Sequence, residues 1–194
     1  SQSLKDDTME IFDIKRHIEV IHNFVDLSLY NRVADCRKNF ANENQKIICH
    51  ISNFRKVKRI DDVVDVFYRI QHEVDAVLLM IGEGPEKEKS REQAQKLGIL
   101  DRVKYLGKTS EIERVLCMSD LFLLPSEKES FGLSALEAMA AGVPVISSNA
   151  GGLPEVNIQN QTGFTANVGD VETMAQGAIS LLMDEERLSA FSRN

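Results

Sequence analysis

Cationic charge is scarce in this chain. With 23 lysines and arginines against 30 aspartates and glutamates in 194 residues, the formal charge is −7 and the pI about 5.2. A nucleic-acid binder held by counterion release needs a broadly basic face, so that class is excluded and any anion site must be local. The three cysteines are an odd number, and Cys49 and Cys117 lie inside the apolar runs K-I-I-C-H-I and R-V-L-C-M-S. With Cys36 they read as reduced thiols of a cytoplasmic protein, not as a disulfide framework. No apolar stretch approaches the roughly 20 residues that span a bilayer, and the first residues lack a signal-peptide core, so a soluble chain without a transmembrane segment is expected. His17, His22, His50 and His72 are scattered without H-x-x-x-H or Cys–His spacing, and no Asp-x-Asp occurs. No metal site is expected. The chain also lacks G-x-x-x-x-G-K-[ST], and Gly82-Glu83-Gly84 has no third glycine, which leaves a P-loop and a dinucleotide fingerprint unsupported.

What is present is a 43% hydrophobic chain long enough for one well-buried domain. From residue 46 onward short β-rich runs alternate with segments of helical period, the pattern of a parallel sheet covered by helices. Strands are expected at Lys46–Ser52, Asp75–Ile81, Arg102–Leu106, Asp120–Leu124, Pro144–Ser147 and Gly163–Asn167. Helices fill the gaps. In Arg59–Val74 the residues Ile60, Val63, Val64, Phe67 and Ile70 form an apolar stripe, with Asp61, Asp62, Asp65 and Arg69 outside it. Further helices are expected at Glu86–Leu97, Ser110–Met118, Gly132–Ala141 and Val171–Met183. The fold class that follows is α/β, a doubly wound parallel, Rossmann-like sheet. Residues 1–42 stand apart: a helix at Leu4–Phe12, a short strand at Ile18–His22, and a turn at Asn23–Asp26 leading to a helix around Asn31–Asn39. They are too few for a core of their own, and are read either as an extension packed on the main domain or, preferably, as the tail end of a neighbouring one. The domain of residues 43–194 stops in helical chemistry at Phe191–Asn194, as a truncated domain would.

Ligands of such sheets bind beyond the carboxyl ends of the strands, and four segments fall there. The first, Asn53-Phe54-Arg55-Lys56-Val57-Lys58-Arg59, packs four cations into five residues, which suits a phosphate or a solvated helix start. The second, Ile81-Gly82-Glu83-Gly84-Pro85, is a tight strand-to-helix turn where glycine serves close ligand approach or geometry alone. In the third, Tyr105-Leu106-Gly107-Lys108-Thr109, backbone groups at a strand exit could read a base edge. The fourth is Glu129-Ser130-Phe131-Gly132-Leu133-Ser134-Ala135-Leu136-Glu137. Ser130 is the expected N-cap, leaving the N–H groups of Phe131, Gly132 and Leu133 to an anion, with Gly132 admitting a diphosphate. Glu137 either closes the capping box Ser134-Ala135-Leu136-Glu137 or accepts sugar hydroxyls, the reading preferred here because Ala138 to Ala141 surround it with a small, apolar helix face. Glu129 is placed to contact the sugar. Beyond it, Asn149-Ala150-Gly151-Gly152-Leu153-Pro154-Glu155 is a second flexible turn into a helix. A nucleotide-sugar is the ligand class these pieces share.

The stretch E-S-F-G-L-S-A-L-E-A-M-A-A-G-V-P-V-I, with I-G-E-G-P before it and A-G-G-L-P-E-V after it, resembles the nucleotide-binding half of retaining GT-B glycosyltransferases of family GT4. The runs H-N-F-V-D, S-N-F-R-K-V-K-R and S-S-N-A-G-G-L-P-E-V are similar to the bacillithiol-pathway branch of that family. The resemblance implies a UDP-sugar donor, UDP-N-acetylglucosamine, transferred with retention to a small acceptor, L-malate, without cofactor or required metal. It implies that residues 1–42 are a remnant of the acceptor domain plus linker, that the acceptor binds mainly on the missing N-terminal domain, and that the fragment alone does not transfer. By position, Lys58 would neutralise the departing diphosphate, the Phe131–Ser134 backbone would cradle it, Glu137 would take the ribose and Glu129 the donor sugar. Lys58 and Glu129 are thereby the catalytic candidates, with Asn53, Arg55, Gly82, Gly107, Lys108, Thr109, Phe131, Gly132, Leu133, Ser134 and Glu137 completing the nucleotide-sugar site. Family members often carry Arg where this chain has Asn53, so Arg55 or Lys56 would supply the second charge. Another acceptor, a UDP-sugar epimerase of the same fold and a non-enzymatic α/β interaction domain remain open alternatives, as does a homo-oligomer.

Overall fold

A strand apolar at every position has no face to show water, so it folds only where helices cover both sides of its sheet. The computed structural model, which describes residues 1–30 and 37–193, meets that demand with six parallel strands. In chain order the elements are α1 (Gln2–Ile11), β1 (Lys46–Ile51), α2 (Ile60–Ile70), β2 (Ala76–Ile81), α3 (Lys87–Lys96), β3 (Val103–Gly107), α4 (Ile112–Cys117), β4 (Leu121–Leu124), α5 (Leu133–Ala140), β5 (Val145–Ser148), α6 (Leu153–Val156), β6 (Gly163–Ala166), α7 (Val171–Leu182) and α8 (Glu185–Phe191). The sheet order is β3-β2-β1-β4-β5-β6. This is the doubly wound Rossmann order, in which the winding direction reverses between the adjacent strands β1 and β4.

The alternation of side chains across the sheet divides the core in two. On one face Ile48, Leu78, Met80, Leu121 and Leu123 pack with Val63, Phe67 and Ile70 of α2 and Met174 and Ala178 of α7. On the other, Ile47, Cys49, Val77, Leu79 and Phe122 pack with Leu116 of α4 and Ala135 and Ala138 of α5. Cys49 lies wholly inside, and burial pushes its thiol up to about 12, which keeps it protonated and inert. The apolar stripe expected of α2 is buried throughout, but Asp62 goes under with it. Arg59 makes that possible by donating from Nε at 2.5 Å and Nη2 at 3.0 Å.

Each expected strand is present to within two residues of its bounds. Residues 18–22 differ: they pair with no strand, being an open segment on the surface of the domain. The helix expected around residues 31–39 falls largely on 31–36, outside the described residues, while Arg37–Asn39 form one turn of 3-10 helix. Arg37 reaches back to the sheet, donating to Asp120 at 2.8 Å, and the same carboxylate accepts the Ile47 N–H at 2.6 Å.

Phe67 carries the largest side chain of the α2 stripe and is 0% exposed. Phe67→Ala should lower the unfolding free energy by about 3–5 kcal/mol, read as a drop in the denaturant midpoint with unchanged slope.

Candidate functional site

The reversal between β1 and β4 leaves a crevice at their carboxyl ends, and the two loops that leave those strands are tied together across it. Glu127 donates its N–H to the Val57 carbonyl at 2.8 Å. Beside this bond Lys58 Nζ donates to Glu129 Oε1, and Ser126 Oγ donates to the same oxygen at 3.0 Å. The Lys58 and Glu129 side chains are 20% and 11% exposed, so the pair is held mostly out of water while keeping an open side. Local chain geometry puts Lys58 there: residues 56–58 form a 3-10 turn that ends on Arg59 in the left-handed region, φ 49°. Ser126, which the sequence reading passed over, is fully buried and accepts at its carbonyl from Ser148 Oγ at 2.5 Å.

The α5 helix begins one turn from Glu129, and its cap differs from the expected one. Ser130 is not the N-cap. Gly132 is, with φ 94°, and no side chain closes the helix end. A Cβ at Gly132 would lie 2.6 Å from Leu153 Cδ2, so the glycine is required by its left-handed backbone and by α6 packed behind it; the positive φ alone favours glycine there. The first intrahelical bonds run from the N–H groups of Ala135 and Leu136 to the Gly132 carbonyl, and among the described residues no acceptor meets the N–H groups of Leu133 and Ser134. These are free donors for an anion.

Glu137, one turn further, is partly buried, and its carboxylate has no hydrogen-bond or ion-pair partner among the described residues. The capping-box reading therefore fails, because Ser134 sits inside the helix instead of at its cap. Burial lifts the Glu137 carboxyl above its ordinary value, and Glu113 of α4 adds repulsion.

Ile112, the neighbour of Glu113 on α4, lines a cavity of about 540 Å³ with Asn53, Arg55, Gly82, Lys108 and Thr109. Five of the sequence-predicted site residues thus share one cavity, with two cations, Arg55 and Lys108, on its wall. Gly107 ends β3 just before it with φ 70°, and its carbonyl accepts the Gly82 N–H at 2.8 Å. Gly82 takes φ 128°, and a Cβ there would meet the Ser52 carbonyl at 1.8 Å. Close crossing of two main chains is what that glycine serves.

A further arrangement was not foreseen. The N-terminal segment lies against the α5 turn: Ser1 Oγ donates to the Ser130 carbonyl, and the His22 ring stacks on Phe131 with centroids 5.9 Å apart. Glu155 of α6 accepts the first N–H groups of α1, from Gln2 and from Ser3, each at 2.8 Å, with His22 Nε2 3.7 Å away. Against desolvation, which would raise it, those N–H groups hold the Glu155 carboxyl below its ordinary value. Among the described residues no group of three or more His, Cys, Asp or Glu could hold a metal, and no helix is long and apolar enough to cross a membrane.

Residues 32–194 match the profile of the family described as glycosyl transferases group 1. N-acetyl-alpha-D-glucosaminyl L-malate synthase of Bacillus anthracis is 47% identical over 189 residues, 96% of this chain and 50% of that protein. Among solved structures, sucrose-phosphate synthase of Thermosynechococcus elongatus is 26% identical with a TM-score of 0.87, covering 98% of this chain and 50% of that one. Anabaena HepE, in complex with UDP and glucose, superposes with a TM-score of 0.85 at 24% identity, covering 91% of this chain and 50% of that one. The chain spans about half the length of the curated relatives it matches.

The raised carboxyl of Glu137 carries a consequence for stability. A folded-state value above the unfolded one means that the folded protein takes up the proton more readily, so stability is greatest at low pH and declines as pH rises through the window between the two values. Glu137→Gln should therefore raise the thermal midpoint near pH 7 by about 1–3 °C and give no gain near pH 4, where the native carboxyl is already neutral; thermal melts at the two pH values check it.

Proposed function

The chain belongs to the group 1 glycosyl transferase family, and from that premise we propose that it is the donor-binding part of a retaining transferase that moves N-acetylglucosamine from UDP-N-acetylglucosamine to L-malate, in the bacillithiol pathway. The name of the 47% identical relative supports this donor sugar and this acceptor. The UDP found in a structure of the same fold is consistent with the nucleotide. What carries the reading is the meeting of Lys58 and Glu129 beside the uncapped start of α5.

In the ligand-free protein the two charges neutralise each other. An arriving diphosphate competes with Glu129 for the Lys58 ammonium and collects the free N–H groups of Leu133 and Ser134. One such ammonium about 4 Å from a phosphate oxygen contributes roughly 4 kcal/mol at an effective dielectric of 20. Glu129, released, is free to accept hydroxyl protons of the sugar. Glu137, half-buried and with no partner for its carboxylate among the described residues, accepts those of the ribose. The cavity of Asn53, Arg55, Lys108 and Thr109 then houses the nucleoside, and Arg55 stands where a second charge is needed because position 53 carries Asn.

Transfer breaks the bond between the anomeric carbon and the diphosphate oxygen and forms one to the acceptor hydroxyl oxygen, whose proton passes to the departing diphosphate. Negative charge grows on UDP as the first bond opens. Fixed N–H dipoles and Lys58 answer it more strongly at the transition state than in the ground state. The charge UDP needs is supplied by these groups, so the reading calls for no metal and no cofactor. The reduced, buried Cys49 is in keeping with a cytoplasmic setting. The acceptor would bind mainly on a preceding domain, of which residues 1–42 would be the last part and the linker, with the donor-binding domain over 43–194.

Titration calorimetry of this chain with UDP, GDP and UDP-N-acetylglucosamine tests the donor; heat with GDP alone would overturn it. Glu137→Gln should weaken UDP binding by about 5- to 20-fold, the loss of charged hydrogen bonds, and unchanged affinity would remove the ribose role. In the complete transferase Lys58→Ala should depress kcat by about 100-fold or more with a much smaller change in the dissociation constant for UDP-N-acetylglucosamine; equal losses in both would take Lys58 out of catalysis.

A further inference from the structure

His50 is 0% exposed at the carboxyl end of β1, one strand position from the loop that carries Asn53, Arg55 and Lys58, and the proposed chemistry makes no use of it. Its two ring nitrogens are both engaged. Nδ1 lies 2.8 Å from the Leu123 carbonyl and Nε2 lies 2.8 Å from Ser52 Oγ. A carbonyl can only accept, so Nδ1 carries the proton and Nε2 must accept from the Ser52 hydroxyl. That hydroxyl in turn accepts the Phe54 N–H at 3.2 Å. The polarity of the chain is thereby set from end to end: Phe54 N–H to Ser52, Ser52 O–H to His50, His50 N–H to β4. Burial pushes the imidazole down to about 4, in keeping with a neutral ring at working pH.

The turn so held is an unfavourable one. Phe54 is a bulky residue in the left-handed region at φ 36°, with its side chain fully buried near the His50 ring, centroids 6.0 Å apart. Its carbonyl is pinned by the Glu86 N–H at 3.0 Å, and the turn is pressed against Gly84, where a Cβ would meet the Asn53 carbonyl at 2.2 Å. Such a conformation persists only when its surroundings over-determine it. The same turn sets Asn53 and Arg55 on the cavity wall and leads directly into the 3-10 turn that brings Lys58 to Glu129. The histidine also joins that turn to β4, the strand that leads to Glu129.

We propose that His50 is a positioning residue: through Ser52 it locks the β1 turn in the geometry that presents Arg55 and Lys58 to the diphosphate of the donor, without touching the ligand. This rests on the donor-binding reading above and deepens it. The expected signature is a loss greater for diphosphate than for monophosphate, read as the ratio of UDP to UMP affinity.

Calorimetry with UDP and UMP on this chain, its Ser52→Ala, Ser52→Thr and His50→Asn variants and the Ser52→Ala/His50→Asn double variant tests it. Asn at 50 can still donate toward Leu123 but falls short of Ser52. Ser52→Ala and His50→Asn should each lower the UDP-to-UMP ratio by about 5- to 10-fold, as one lost hydrogen bond would, with a smaller loss of UMP affinity. The double variant should lose no more than the worse single one, since both break the same chain, and Ser52→Thr, which keeps the hydroxyl, should restore the ratio. Nitrogen-15 spectra should show a single Nδ1–H tautomer of His50 in the native chain and a mixture in Ser52→Ala, a readout that survives should His50→Asn fail to fold. An unchanged ratio in Ser52→Ala overturns the proposal, and so do additive losses, which would mean that Ser52 meets the ligand directly. If the native chain binds UDP no better than UMP, the donor-binding reading falls and takes this one with it; if it discriminates and the variants do so equally well, only the role of His50 falls.

Discussion

The ion pair between Lys58 and Glu129 is the contact on which the arrangement of the site depends. A doubly wound sheet leaves its ligand crevice where the winding reverses, here between β1 and β4. Two loops leaving adjacent parallel strands have no sheet hydrogen bonds to hold them in register. Lys58 and Glu129, with the neighbouring Glu127 N–H to Val57 carbonyl bond, supply that registration. An ion pair largely shielded from water gives back little net stability, because removing the charges from solvent costs about what their attraction returns. It is for that reason well suited to be exchanged. On the proposed reading, a ligand that brings its own negative charge takes over the lysine while the hydroxyls of its sugar donate to the freed Glu129.

Around this pair the rest of the site is graded in firmness. Ser126, anchored through Ser148 on β5, steadies Glu129 from below. His50 steadies the opposite loop from β4. Among the described residues the N–H groups of Leu133 and Ser134 and the carboxylate of Glu137 have no partner, and the proposed reading assigns them one in the donor.

The sheet was legible in the sequence because burial on both faces leaves no polar residue inside Ala76–Ile81 or Leu121–Leu124, and the helix α2 because its apolar stripe has period 3.6. Residues 18–22 alternate like a strand, but Ile18, Val20 and Ile21 have no neighbouring strand edge to join, and local pattern alone carries no information about partners. The cap of α5 was misplaced for a related reason: Ser130 has the right chemistry, but the chain turns at Gly132, the residue that takes the left-handed backbone at φ 94°. At Glu137 the motif S-x-x-E allowed two outcomes, and only the position of Ser134 inside the helix separates them. His50 could have been singled out by its place at a strand end beside a serine; what it bonds to across 73 residues could not.

Gly82 and Gly84 show how such a pocket can be tuned. Their missing side chains let the carbonyls of Ser52 and Asn53 cross within 1.8 and 2.2 Å of where a Cβ would stand, so the main chains of two loops are interlocked like stitched seams. No substitution at either glycine can widen or narrow the gap without unpicking it. The breadth of the cavity is therefore a property of the scaffold, and substitution can reshape it only at the rim, at Arg55, Lys108, Thr109 and Ile112.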